Sequence, residues 1–349
     1  MNDEDYINLY LRSFDGIGPK TLKKAQNTCT GEKLIEYFHH TESSISFKDY
    51  KNWKQKFVEN VEKRHIGILN IDDENYPQLL KNIANPPDFI FYIGNISLIN
   101  QKCFAVVGSR RPTGYGVNAT KDITKGLSDY GFIIVSGMAL GIDSISHYSS
   151  IQNGTIAVLG CGLNYIYPST NGILYKKIIE NNGLIISELF PEILPHPALF
   201  VQRSRIIAGL SEGLLVTEAA LKSGSLLACN FAFDAGRNVY AVPGDITRET
   251  SRGCNMLINR NIAKLVTTAT DIIEDYSNDY ISTIQKANIS NNYSDLSQKI
   301  ISLLKEGVST VDLLSDSIGC DIQSIFSELT DLEIAGVIER GGSEIYLKL

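Results

Sequence analysis

The sequence predicts an α/β protein with a doubly wound, mostly parallel sheet at its centre, a helical N-terminal domain before it and a winged helix after it. Three observations predict this. Six short, nearly continuous apolar runs rich in Val and Ile follow one another between residues 103 and 244, the pattern of strands covered on both faces. Helical patterns separate most of them, so strands and helices alternate. Beyond a polar stretch, three short helical patterns precede a Gly-Gly hairpin, the size and order of a winged helix.

In chain order, residues 1–85 read as a helical domain of the helix-hairpin-helix or SAM-like kind. Its segment SFDGIGPKTLKKAQN (13–27) has the form of such a hairpin, with Gly16 and Gly18 letting the backbone approach a phosphate. The same glycines serve equally in a turn that only packs. Pro86 and Pro87 then mark a break, and FIFYIGN reads as a short strand ahead of the core. The core, 86–272, holds CFAVV (103–107), FIIVS (132–136), TIAVLG (155–160), LIISE (184–188), GLLVTEA (213–219) and NVYAVPG (238–244). Helical patterns occupy 113–129, 142–152, 170–181 and 225–235. The connection from Glu188 to Gly213 is long and opens with Pro191, Pro195 and Pro197. Residues 273–293 read as a linker, and 294–349 as the winged helix.

At 349 residues and 43% hydrophobic content the chain can hold two or three domains and a large core. No apolar run approaches a membrane span, and MNDEDYINLY is too acidic for a signal peptide. The cysteines Cys29, Cys103, Cys161, Cys229, Cys254 and Cys320 form no CxxC pair. That pattern fits a cytoplasmic protein with reduced thiols and no metal site. The net charge is −7, yet residues 294–349 carry four Lys/Arg against ten Asp/Glu, and residues 101–270 carry fifteen against eleven. A basic core lies within an acidic chain.

The candidate site lies at the carboxyl ends of the strands, where open α/β sheets bind their ligands. The first run enters a glycine turn, which places Gly108, Ser109, Arg110 and Arg111 between a strand and the next helix, a unit whose N–H groups hold phosphate. Neither GxxxxGK[ST] nor GxGxxG is present, which excludes a P-loop and a dinucleotide fingerprint. Paired arginines suit bidentate capture of phosphate oxygens instead. Ser136, Gly137 and Gly141 end the second run in SGMALGID. Ser223, Gly224 and Ser225 form a turn at a helix start, where the helix dipole favours an anion. With Arg203, Arg205 and Arg237 around them, these exposed backbone donors would bind a polyanion without reading its sequence. Arg203 and Arg205, two apart, point to different sides of an extended chain, so one can bind phosphate while the other pairs with Glu188 or Glu218. Asp143 and His147 share one helix face. No nucleophile or third ligand accompanies them, so they read as a structural hydrogen bond that fixes the loop. No catalytic residue and no cofactor is expected.

The motifs VVGSRRPTGYG, SGMALGIDSISH, GTIAVLGCGLNYIYP, ISE, FVQRSRIIAGLS, TEAALKSGSL, GRNVYAVPG and RGCNMLI occur in this order, and together they resemble the DNA-processing protein A (Smf) family. The resemblance implies an extended Rossmann-like core that binds single-stranded DNA during natural transformation. The protein would protect the incoming strand and help load the RecA recombinase, as a homodimer and without catalysis. Asn255 of RGCNMLI joins the candidate phosphate-binding set. Phe200 either stacks on a base or belongs to the core. The chain departs from the family pattern at Ser204 (usually Asn), at Ala228 (commonly Thr) and at Asn261 and Ile262 before Ala263 (usually Gly-Ala).

The core also resembles the lysine-decarboxylase-like phosphoribohydrolases, whose PGGxGT segment is followed by a glutamate; KSGSLLAC lacks it. A small-nucleotide sensor using the same pocket is the other alternative. The apolar segment MLINRNIAKLV (256–266) is the candidate dimer surface. The winged helix's recognition helix, DIQSIFSELTDLEIA (321–335), contains Asp321, Glu328, Asp331 and Glu333 and no Lys or Arg. It is expected not to read DNA, since like charge opposes docking on phosphates.

Overall fold

Four helices open the chain: α1 (Asp3–Arg12), α2 (Pro19–Gln26), α3 (Glu32–His39) and α4 (Phe47–Lys63). The Asn2 side chain accepts from the Asp5 N–H and the Asp5 side chain from the Asn2 N–H, so two orphan donors of α1 are satisfied reciprocally. Arg12 ties the end of α1 to the start of the next turn, donating to the Ile17 carbonyl and pairing with Asp88. These details belong to a computed structural model that describes residues 1–14, 16–40, 45–279, 294–305, 307–334, 338–341 and 344–347. It divides into two compact units, Met1–Ile272 and Ile273–Leu349.

The stretch 1–85 is not helical throughout. β1 (Gly67–Asn70) pairs antiparallel with β2 (Phe89–Gly94). FIFYIGN therefore lies inside the main sheet rather than ahead of it. After it come β3 (Cys103–Val107), α6 (Gly114–Tyr130), β4 (Ile133–Ser136), α7 (Ile142–Ser150), β5 (Thr155–Val158), α8 (Gly172–Glu180) and β6 (Leu184–Ser187), with α5 (Gln78–Lys81) before β2. The unit continues through α9 (Pro197–Leu210), β7 (Gly213–Val216), α10 (Ser225–Asp234), β8 (Asn238–Ala241), α11 (Arg252–Asn259), β9 (Lys264–Leu265) and α12 (Thr270–Ile273). Strand order is β1-β2-β6-β5-β4-β3-β7-β8-β9, and every pairing from β6 to β9 is parallel.

Both faces of the sheet are covered, as the continuous apolar runs require. Cys103, Ala105 and Val107 of β3 pack in one cluster with Ile206, Ile207 and Ala232 from α9 and α10. On the other face Phe104 meets Phe132 edge-on at 5.2 Å. The connection after β6 contains a helix that the proline-led sequence conceals. Pro197 fills its first position and His196 caps it, a start that proline favours. Residues 203–210 except Arg205 are then buried, so the helix shows no polar face to reveal its period.

In the second unit, α13 (Asp295–Lys305), α14 (Val311–Ile318) and α15 (Ile322–Ile334) precede a hairpin of β10 (Ile338–Gly341) and β11 (Glu344–Leu347). Ile300, Leu314, Ile325, Leu329, Ile338 and Ile345 form its core. This is the winged-helix order. Of the expected linker, residues 280–293 lie outside the described residues.

The strand order reverses beside β3, which has β4 on one side and β7 on the other. Such a switch point opens a crevice at the strand ends.

Candidate functional site

The loops after β3 and β7 meet at that crevice, joined by a hydrogen bond from the Ser109 N–H to the Glu218 carbonyl, 2.7 Å. The Glu218 carboxylate is buried beneath the β3–α6 loop and accepts the Thr113 N–H at 2.8 Å. Gly116 is required there, because a Cβ would fall 2.1 Å from Glu218 Oε2. Thr113 caps α6 by accepting the Gly116 N–H. The β4 loop closes in from the other side. Gly141 has φ +76° and its backbone presses on Ser109, leaving 2.3 Å between a would-be Cβ and the Ser109 carbonyl. Met138, fully buried, also takes a left-handed φ of 60°, a strained backbone of the kind stored at functional loops.

The result is a cleft of ≈ 690 Å³ whose walls include Gly108, Ser109, Arg110, Arg111, Phe200, Arg203, Ser223, Gly224 and Ser225. Nine of the fifteen sequence-nominated residues thus converge on one site. Arg110 and Arg111 are exposed at its mouth, and the Arg110 guanidinium stands 5.9 Å from the Phe200 ring centre. Sequence reasoning missed Lys222, Leu227 and Tyr167, which also line it. The signal for Lys222 was its place in KSGS, next to the nominated serines. Tyr167 lies far along the chain, in NYIYP, and only the fold brings it to Phe200, with ring centres 5.1 Å apart and planes 20° apart.

The floor of the cleft is charged and buried. Arg203 is buried and donates Nη1–H to the Val158 carbonyl at 2.8 Å. Burial pulls its pKa down, an effect that Asp143 opposes. Asp143 accepts the Ala139 N–H; burial raises its pKa, and the Arg203 charge works against that. His147, fully buried, contacts Thr155 Oγ1 through Nδ1 at 2.8 Å. The one hydroxyl hydrogen of Thr155 goes to the Ile134 carbonyl, so His147 donates from Nδ1–H. Burial, reinforced by the Arg203 charge, holds its pKa at about 3. Asp143 and His147 thus make separate bonds, one to the loop and one to β5, rather than a bond to each other.

Six nominated residues do not line the cleft. Arg205 forms a bidentate pair with Glu188, 2.9 and 2.5 Å. It lines a second cavity with Arg12 and Asp88, because two residues along helix α9 turn its side chain away from that of Arg203. Arg237 donates to the Leu79 carbonyl at 3.0 Å. Asn255 brackets Gly244, donating to its carbonyl and accepting its N–H. Ser136 is buried, with its hydroxyl on the Val106 carbonyl. Gly137 makes room for Arg203, whose Nη1 would lie 1.7 Å from a Cβ there, and Gly141 supports Ser109 from behind. Among the described residues no three His, Cys, Asp or Glu side chains group as a metal site, and no helix is long and apolar enough to cross a membrane.

Residues 67–277 match the family model of DNA recombination-mediator protein A, and residues 286–342 match that of the DprA winged helix domain. The chain is 42% identical over 210 residues to DNA processing protein DprA of Streptococcus pneumoniae, covering 60% of this chain and 73% of that protein. It is 34% identical over 287 residues to protein Smf of Escherichia coli, covering 80% and 76%. The solved structure of the S. pneumoniae DprA superposes with a TM-score of 0.67 at 32% identity, over 78% of this chain and 98% of that one. The Helicobacter pylori DNA processing protein A, described for its single-stranded DNA binding mode, superposes at 0.56 with 29% identity, over 61% and 96%. Fold, motif order and these matches agree: the chain belongs to the DNA recombination-mediator protein A (DprA) family.

Proposed function

We propose that this protein binds single-stranded DNA in the cleft between the β3 and β7 loops, as part of DNA processing in natural transformation. The observation that carries this reading is the convergence there of the exposed Arg110, Arg111 and Lys222, which make no ion pair among the described residues, with the Tyr167 and Phe200 rings. Phosphates would sit on Arg110, Arg111 and Lys222, because the N–H groups of Ser109, Arg111, Ser223 and Ser225 already bond within the protein. Such contacts fix a strand in place without reading its sequence. The described single-strand binding of the H. pylori relative supports the ligand. The family's description as a recombination mediator supports the further step, in which the protein shields the strand in the cytoplasm and helps load RecA onto it. We also propose that the role is binding rather than catalysis. Asp143 and His147 are committed to separate structural bonds, and burial pushes the Cys103 and Cys254 thiols up to about 12, which keeps them from acting as thiolate nucleophiles.

Arg110 tests the placement. Its exposed guanidinium would hold one phosphate through charge-assisted hydrogen bonds, so Arg110→Ala should cost on the order of 2 kcal/mol in single-strand affinity. The slope of log K against log salt should fall by about 0.7, the share of one phosphate contact on a single strand. Titration with oligonucleotides over a salt series measures both, and a parallel titration with a nucleoside monophosphate separates strand binding from a nucleotide sensor. Unchanged affinity and slope would place the site elsewhere.

A further inference from the structure

We propose that Tyr167 is a platform on which a base of the bound strand stacks; this deepens the single-strand reading and rests on it. Phe200 is already committed to protein contacts. Tyr167 lies against its ring, nearly parallel at 5.1 Å, and the Arg110 guanidinium stands 5.9 Å from its centre. Its edge is seated on the end of β5, where a Cβ on Gly160 would fall 2.5 Å from Phe200 Cδ1. Phe200 itself stays half-buried in the cleft wall.

Tyr167 is the more open of the two rings. It lines the same cleft, is 43% exposed, and its hydroxyl bonds to no group among the described residues. It is nevertheless held in place. Tyr165 N–H bonds to the Gly162 carbonyl at 3.1 Å. After Pro168, Asn171 Nδ2 donates to the Met138 carbonyl and Ser144 Oγ at 2.7 and 2.9 Å. A half-exposed ring on a tethered loop, backed by a second ring that has the Arg110 guanidinium 5.9 Å from its centre, is preorganised for a planar partner. A base placed on its open face would extend the Phe200–Tyr167 stack by one layer while Arg110 takes the neighbouring phosphate. Because every base has a π-face, the contact tolerates any sequence.

The test compares an oligothymidylate with an abasic strand of the same length, which keeps the phosphates and removes the bases. The parent, Tyr167→Ala, Tyr167→Phe and Arg110→Ala are titrated with both. Tyr167→Ala should weaken binding of the base-bearing strand by about tenfold and leave the abasic strand at the parent's affinity. Tyr167→Phe should match the parent on both strands, and Arg110→Ala should lose affinity for both. The proposal is overturned if Tyr167→Ala binds oligothymidylate as the parent does, loses equally on both strands, or is no weaker than Tyr167→Phe. A parent that binds neither strand overturns the single-strand reading itself, a result distinct from any of these.

Discussion

His147 is a histidine cut off from water, bonded through Nδ1 to Thr155 and held neutral by burial and by the nearby Arg203 charge, at about pKa 3. In the unfolded chain it protonates near 6.5. Between those two values the unfolded state binds more protons than the folded one, so its stabilising contribution is fully present above about 6.5 and lost as pH falls toward about 3. From pH 7 to pH 5 the loss from this group is about 2 kcal/mol, a figure set by the unfolded value because the folded one lies well below 5. Urea unfolding of the parent and of His147→Gln at both pH values measures it: the parent should lose about that much more than the variant. Equal losses would mean that His147 does not titrate in this window. At this scale the sequence was a partial guide. The strand-end turn residues Gly108 to Arg111 and Ser223 to Ser225 were legible because a strand–turn–helix unit carries its own geometry. Arg203 and Arg205 were not separable, because their roles depend on Val158 and Glu188, which only the fold brings to them.

Among the elements, the six core strands were legible because a strand buried on both faces must be apolar along its whole length. β1 and β9 were not: β1 is fully buried only at Leu69, so it lacks a continuous apolar run, and β9 is two exposed residues. Helix α9 escaped for the opposite reason, since its second half is buried nearly all round and its first half exposes Pro197, Ala198 and Val201 rather than a polar face. The recognition helix α15 was legible in its charge, and the structure adds how that charge is used. Arg340, the one cation bonded to the helix among the described residues, is tied to Glu333 and Thr330, and Glu328 accepts the Ser294 and Ser297 hydroxyls. Asp321 caps the helix by accepting from Ser324 through backbone and side chain, bonds that hold its pKa below the usual carboxylate range. A helix this acidic repels phosphate rather than docking on it. Removing residues 290–349 should therefore leave single-strand affinity and its salt slope intact. At low salt binding should become slightly tighter, because a net negative segment has been taken away. A large loss of affinity in a truncated protein that still folds would show that the winged helix holds DNA after all.

For the molecule as a whole, the proposed homodimer is the property with the most consequence for binding. Within the segment 256–266, Leu257, Ala263 and Val266 are buried in this chain's own core, so only part of that apolar stretch is available to a second copy. What remains is β9, which ends the sheet with one edge unpaired by any described strand and with Leu265 48% exposed. An open edge with an apolar side chain invites pairing with another chain, and two-fold symmetry is the default for such a pairing. Two clefts would then face one strand, and a strand long enough to reach both would bind its second cleft at a raised effective concentration. Light scattering of the parent at micromolar concentration should give twice the mass of the chain, and Leu265→Glu, which places a charge on the edge, should give the single mass. The same variant should bind a short oligonucleotide as the parent does and lose affinity only for long ones, since its cleft is untouched. A parent that is strictly monomeric refutes the dimer. A Leu265→Glu protein that still dimerises moves the interface away from β9, and one that loses affinity for short strands would show that the edge and the cleft are coupled.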